Sequence, residues 1–201
     1  MRAARVFPET RERLFVAASR LMIEKGYPAT SIDEICTAAG VTKGSFFHYF
    51  TSKDHLGREL LQRSLDDRVA EHERLAVEPD PLQRLYRLID QMIRRVDERE
   101  VEGCLLGVFA QELSRTHPEI GRLCAGAFNT WIDGLTRDLE EAKARYAPHA
   151  AVAPRSLAEH LVAVVEGAFI LARAHGEGRV LRESLQHFRG YLEMLFGLPA
   201  A

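Results

Sequence analysis

Cysteine is scarce and scattered in this chain. Cys36, Cys104 and Cys124 are odd in number, far apart and without a CxxC pair, which excludes a disulfide framework and a zinc-ligand spacing. Long apolar runs are lacking too. The best, around Leu161 to Ala172, is interrupted by Glu166 and is shorter than the roughly 18 residues a membrane helix needs. The opening MRAARVFPETRERL has no apolar signal-peptide core, so a cytoplasmic location with no membrane partner is expected. Neither sign of charge dominates: the formal net charge of -2 gives no global attraction to DNA. There is no GxGxxG, no P-loop and no HExxH, and the eight histidines lack metal-ligand pairing. His72, His149 and His187 fit solvated surfaces, and Glu140-Glu141 fits a solvated helical face. No catalytic residue, cofactor or metal site is therefore expected. Strand alternation, internal repeats and low-complexity tracts are absent as well.

What remains is helical patterning, at 46% hydrophobic and 28% charged residues, in a chain of 201 that can hold one sizeable core or two smaller ones. Its most informative stretch runs from Thr30 to Lys53. Ile32, Ile35, Cys36 and Ala39 fall on one helical face. Ser31 caps that helix, Glu34 completes a capping box, and Gly40 stops it. Thr42 then caps a second helix of about two turns, Lys43 to Tyr49. Two helices joined by a short glycine turn describe a helix-turn-helix, whose second helix enters the DNA major groove. Phe46 and Phe50 share one side and pack inward. Lys43, Gly44, Ser45, Phe47, His48 and Tyr49 are left facing outward, a set suited to phosphates and base edges. Lys53 opens the next helix, behind the capping Ser52, where its ammonium would reach a phosphate. Residues 1–57 carry eight basic side chains against six acids, and the remainder carries nineteen against twenty-three. That asymmetry favours the amino end for DNA, though weakly. A small aromatic-rich helical corner without nucleic acid is the plainer alternative.

The stretch resembles the DNA-binding domain of the TetR family of bacterial transcriptional regulators. The resemblance rests on Gly40-Val41-Thr42-Lys43-Gly44-Ser45, Tyr49-Phe50 and Ser52-Lys53, and covers about the first quarter of the chain. Cys36 stands where the family usually has alanine. Phe47 replaces a frequent tyrosine, which loses a phosphate hydrogen bond but keeps apolar contact. The resemblance implies a DNA-binding domain over 1–53 and a ligand-binding and dimerisation domain over 54–201. It also implies operator contacts from Ser31, Thr42, Lys43, Gly44, Ser45, Phe47, His48, Tyr49 and Lys53.

Taken in order, residues 1–7 form a short basic arm, in which Arg2 and Arg5 serve solubility or touch the duplex. A first helix starts near Pro8 to Thr10 and ends at Gly26. A long helix follows from Lys53 to about Ala76, with Leu56, Leu60, Leu61, Leu65 and Val69 inward. Further helices are expected from Pro81 to near Arg99, Cys104 to Arg115, Pro118 onward, Pro154 to His175, and Arg179 to Phe196. The fold class is all-α, with about nine helices. The last two are apolar beyond a single stripe, and such helices need burial on two sides; a homodimer through a four-helix bundle satisfies this. A twofold pair of heads then reads a pseudo-palindromic operator.

The fifth to eighth helices carry bulky residues that suggest walls for a small-molecule inducer of apolar or aromatic character. The candidates are Met92, Val96, Phe109, Phe128, Trp131 and Phe169, with Asn129, Glu166 and Arg173 as polar groups; plain core packing is the alternative for each aromatic. Cys104 follows Gly103 at a helix start, where the dipole lowers a thiol pKa. Gly103-Cys104-Leu105 and Glu112-Leu113-Ser114 also resemble a branch of the family containing an electrophile-sensing repressor, which makes Cys104 a candidate sensor beside its plainer role as a small buried hydrophobe. A ligand-responsive repressor is the expectation. A helical enzyme, or a ligand-binding protein without DNA binding, is the alternative.

Overall fold

The computed structural model describes residues 6–98 and 103–197. Arg2 and Arg5 of the basic arm, and the fifth helix's expected end at Arg99, lie outside the described residues. Those described form nine helices and no strand: α1 (Val6–Lys25), α2 (Ile32–Ala39), α3 (Lys43–Tyr49), α4 (Lys53–Leu75), α5 (Pro81–Glu98), α6 (Leu105–Leu113), α7 (Pro118–Tyr146), α8 (Pro154–His175) and α9 (Arg179–Phe196). No helix among them is long and apolar enough to cross a membrane.

The chain forms two compact units, each assembled from two separate stretches. One comprises residues 1–66 with 103–127; the other comprises 67–102 with 128–201. The backbone of α4 and that of α7 are each continuous through the division.

In the first unit, α1 packs on α2, α3 and α6. Its core is built from the stripes the sequence shows: Leu14, Ala18 and Met22 of α1, Ile35 and Ala39 of α2, and Phe46 and Phe50 are buried. From α6, Leu106, Phe109 and Leu113 join them. In the second unit, α8 packs on α9, and α9 on α5. Leu157, Leu161 and Val165 of α8 meet Leu185, Phe188 and Leu192 of α9 in one apolar cluster with Leu85 and Ile89 of α5. At about 25 cal/mol per Å² of apolar surface, such clusters supply most of the force that orders the helices.

The inner face of α4 differs from expectation. Leu56, Leu60 and Leu61 are buried, but Val69 is 38% exposed. Beyond Leu61 the covered stripe passes through Ser64, Arg68, Glu71, His72 and Leu75, at i, i+4, i+7, i+8 and i+11. The Arg68 guanidinium stacks over Trp131, Glu71 pairs with Arg95, and the His72 ring lies against Gly134. Leu65 is half-buried as well, so hydrophobic spacing fails only at Val69, where polar side chains with aliphatic or aromatic bodies take over the covered face. His72 is accordingly half-buried, 3.9 Å from Asp138, rather than fully solvated.

Behind it lies a buried ion pair. Arg84 of α5 donates to Asp138 of α7 at 2.7 Å and to the Glu78 carbonyl at 2.9 Å, and it also engages Glu141. Glu141 therefore has a structural partner as well as a solvated face.

Candidate nucleic-acid interface

The second helix of the motif is held by what surrounds it. Seven residues are too few to be helical alone. The Thr42 hydroxyl accepts from the Ser45 amide at 3.1 Å and lies 3.0 Å from the Ser45 hydroxyl. Phe46 is fully buried, 5.6 Å from the Phe50 ring, which in turn meets Phe15 edge-on at 5.4 Å. The opposite side is open. Phe47 is 54% exposed, Lys43, Gly44 and His48 are exposed, and Ser45 and Tyr49 are half-exposed. A Cβ at Gly44 would meet nothing closer than the Thr42 hydroxyl at 3.6 Å, so the glycine is not demanded by internal packing.

Helix α2 is fixed at both ends. The Ser31 hydroxyl accepts from the Glu34 amide, and the Glu34 carboxylate accepts from the Ser31 amide at 2.9 Å. Gly40 closes the helix at φ +62°, a backbone setting where a side chain would be strained, and its carbonyl accepts from Arg13 at 2.9 Å. Gly40 thus sets the distance between α2 and α3.

Lys53 departs from the expected reach toward a phosphate. Its ammonium donates to the Tyr27 and Thr30 carbonyls, at 2.9 and 2.8 Å, and lies 4.3 Å from the Tyr27 ring centre. Burial lowers its pKa below the ordinary lysine value. The first residue of α4 sits beside the 27–30 turn, so its charge closes that turn and positions the start of α2.

Tyr27 connects three parts of this unit. Its amide donates to Glu112 at 2.7 Å, its hydroxyl donates to Asp54, and its ring meets Phe109 edge-on at 5.2 Å. Burial, then the bond to Asp54, raises the phenol's pKa. Gly57 lies against both rings, where a Cβ would come within 3.2 Å of each.

The ten residues expected around a ligand divide between the units. Cys104 and Phe109 lie in the first, where Phe109 is fully buried against Tyr27 and Cys104 is 8% exposed at the cap of α6. The other eight lie in the second. There Met92, Val96, Phe128, Trp131 and Phe169 are half-buried against the apolar cluster. Asn129 and Arg173 are exposed, and Glu166 is half-buried.

With this geometry in hand, comparison with known proteins is decisive. Residues 14–60 match the model of the bacterial regulatory proteins of the tetR family, and residues 81–187 match the C-terminal domain of LmrA/YxaF-like transcriptional regulators. The transcriptional regulator AcuR of Cereibacter sphaeroides is 32% identical over 166 residues, 81% of this chain and 75% of that one. This chain belongs to the TetR family. The HTH-type transcriptional repressor NemR of Escherichia coli is 24% identical over 92% of this chain and 94% of its own, and supports the branch suggested by the Cys104 segment. A solved TetR regulatory protein from Rhodobacter sphaeroides superposes with a TM-score of 0.81, at 27% identity, covering 90% of this chain and 97% of that one.

For a TetR-family head, two positioning groups here escape a reading of spacing. Tyr27 lies in a turn, and its hydroxyl and amide find their acceptors 27 and 85 residues away. Asp33 lies 2.7 Å from the Lys43 ammonium, across a turn from a residue ten positions on. Only an acid near a helix start marks it, and that has a sufficient local reason in the helix dipole.

Glu34 gives this TetR-family head a pH limit. Bonds from Lys25, then from the Ser31 hydroxyl and amide, pull its carboxyl down to about 2. A folded pKa below the ordinary value contributes stability at pH above that value and loses it as pH falls toward about 2. Glu34→Gln removes this contribution. The gap between wild-type and variant melting temperatures is expected to be largest near neutrality and to close between pH 4.5 and 2. A gap independent of pH would assign the effect to geometry alone.

Proposed function

We propose that this TetR-family regulator is a repressor that binds a pseudo-palindromic operator as a homodimer and releases it on binding a small molecule. The observation that carries the proposal is the outward side of α3: Lys43, Gly44, Phe47 and His48 stand exposed on a helix whose other side is fully buried. Cation, imidazole and apolar ring beside a residue without a side chain suit entry into a major groove. Residues 1–53 carry the DNA-reading function and 54–201 the ligand and dimer functions. Ser31 and Thr42 present helix N-termini to phosphates, Ser45 and Tyr49 add hydroxyls, and Lys53 supports the motif from behind. Relatives named as transcriptional regulators favour this function over an enzyme.

Dimerisation is supported by the outer sides of α8 and α9. Ile170 and Leu171 are 53% and 50% exposed, Tyr191 41% and Met194 77%. Gly167 and Gly190 have open space where a Cβ would stand, which favours close approach of a second copy. The inducer is proposed to be an apolar or aromatic molecule held near Met92, Val96, Phe128, Trp131 and Phe169, with Asn129, Glu166 and Arg173 as polar contacts. Cys104 and Phe109 of α6 are proposed to respond to it. A ligand acts only through its differential affinity for the two states of the dimer. The cytoplasm is the proposed location.

Selection of duplexes from a random-sequence library with the full chain tests this directly. A pseudo-palindromic consensus is expected, with half-sites about one helical turn apart. Its affinity should fall linearly on a log–log plot against salt, and Lys43→Ala should weaken it while leaving helicity and dimerisation intact. Failure to enrich any sequence would remove the function.

A further inference from the structure

We propose that Asp33 is a specificity-determining residue of the DNA-reading face: its carboxylate holds the Lys43 ammonium in a set direction and repels phosphates that arrive without a matching base edge. This role rests on the DNA-binding function proposed above. The two residues come from different helices, Asp33 from the first turn of α2 and Lys43 from the first turn of α3, and the Gly40 turn brings them to 2.7 Å. Their side chains are 64% and 61% exposed. A pair this open contributes little to folding. Its effect falls on what approaches Lys43.

The surrounding charges are committed elsewhere. Lys25 pairs with Glu34, and Arg13 donates to the Gly40 carbonyl. The backbone at Asp33 is anchored in the first turn of α2, its carbonyl accepting from the Thr37 hydroxyl at 2.9 Å. An unpaired lysine is a flexible point charge that takes any phosphate. Paired with a carboxylate at 2.7 Å it is a directed donor, with hydrogens left for a base-edge acceptor such as guanine O6 or N7. On a random duplex the gain is mainly phosphate contact, and a carboxylate a few ångströms away opposes it. On a matched site the lysine donates to the base while Asp33 still holds it. A repulsive element of this sort weakens the wrong partner more than the right one.

The test uses full-length wild type and Asp33→Asn, with a duplex selected by wild type and a scrambled duplex of equal length. Fluorescence anisotropy gives both affinities at two salt concentrations. Asp33→Asn is expected to bind the scrambled duplex about five- to tenfold more tightly, while the selected duplex changes by less than about twofold. In a Lys43→Ala background the same substitution is expected to leave discrimination unchanged. Circular dichroism checks that each variant is folded. Preserved discrimination in Asp33→Asn, or an equal loss of it without Lys43, overturns the role of Asp33 alone. A wild-type chain that enriches no sequence removes the DNA-binding function and this role together.

Discussion

Arg84→Ala lowers stability by about 3–5 kcal/mol, the usual result of stranding one member of a buried ion pair. Arg84 and Asp138 are 7% and 6% exposed, and the 2.7 Å bond between them joins α5 to α7. Burial raises the Asp138 carboxyl above its ordinary pKa, against the lowering effect of the Arg84 bond. Removing the guanidinium leaves burial less opposed, so the pKa rises further. A folded pKa above the unfolded one means that the ionised carboxylate destabilises the fold. That penalty is present at neutral pH and is relieved as pH falls through the raised value. Denaturant melts of wild type and Arg84→Ala should therefore differ most at neutral pH and progressively less as the solution is acidified. The double change Arg84→Met with Asp138→Leu is expected to recover much of the loss, because an apolar pair fills the space without a charge to strand. A loss that stays constant with pH would mean that the missing side-chain packing matters more than the charge.

The second large effect separates neighbours in α3. Phe46→Ala is expected to cost about 3–5 kcal/mol, since the ring is fully buried and its removal leaves a cavity between α1 and α3. DNA binding should disappear with it, because a seven-residue helix does not persist without its packing. Phe47→Ala should alter stability by no more than about 0.5 kcal/mol, as expected for an exposed position. It should nevertheless weaken binding to a selected duplex about tenfold, from the loss of apolar contact with a thymine methyl. Paired thermal melts and anisotropy titrations distinguish the two. Equal effects on both measurements would mean that the sides of α3 had been exchanged.

Much of the amino-terminal unit was legible because its signals are local. The capping bonds of Ser31, Glu34, Gly40 and Thr42 each span four residues or fewer, and each has the role its position suggests. Pro154 and Gly176 likewise bound α8 as expected. Partners far along the chain were not legible. Lys53 carries the family's lysine, yet the turn that takes up its charge lies 23 to 26 residues earlier. Along α4, apolar spacing placed Leu56, Leu60 and Leu61 correctly but also pointed to Val69, whereas Arg68, Glu71 and His72 make the contacts there. Periodicity reports which residues prefer to leave water. It does not report which polar side chains have found a partner across a helix pair.

The assignment of α6 to the same compact unit as α1, α2 and α3 bears on how such proteins are cut and recombined. A fragment ending at residue 66 would lack Phe109 and Glu112, and so leave Tyr27 without its ring neighbour and its amide acceptor. Grafting the first 53 residues onto a foreign bundle would bring in a foreign α6 at that place. Exchange between relatives is therefore constrained by a tyrosine through its contacts inside the unit: a chimera keeps a well-formed reading head only where the incoming helix offers an aromatic ring and a carboxylate three residues apart.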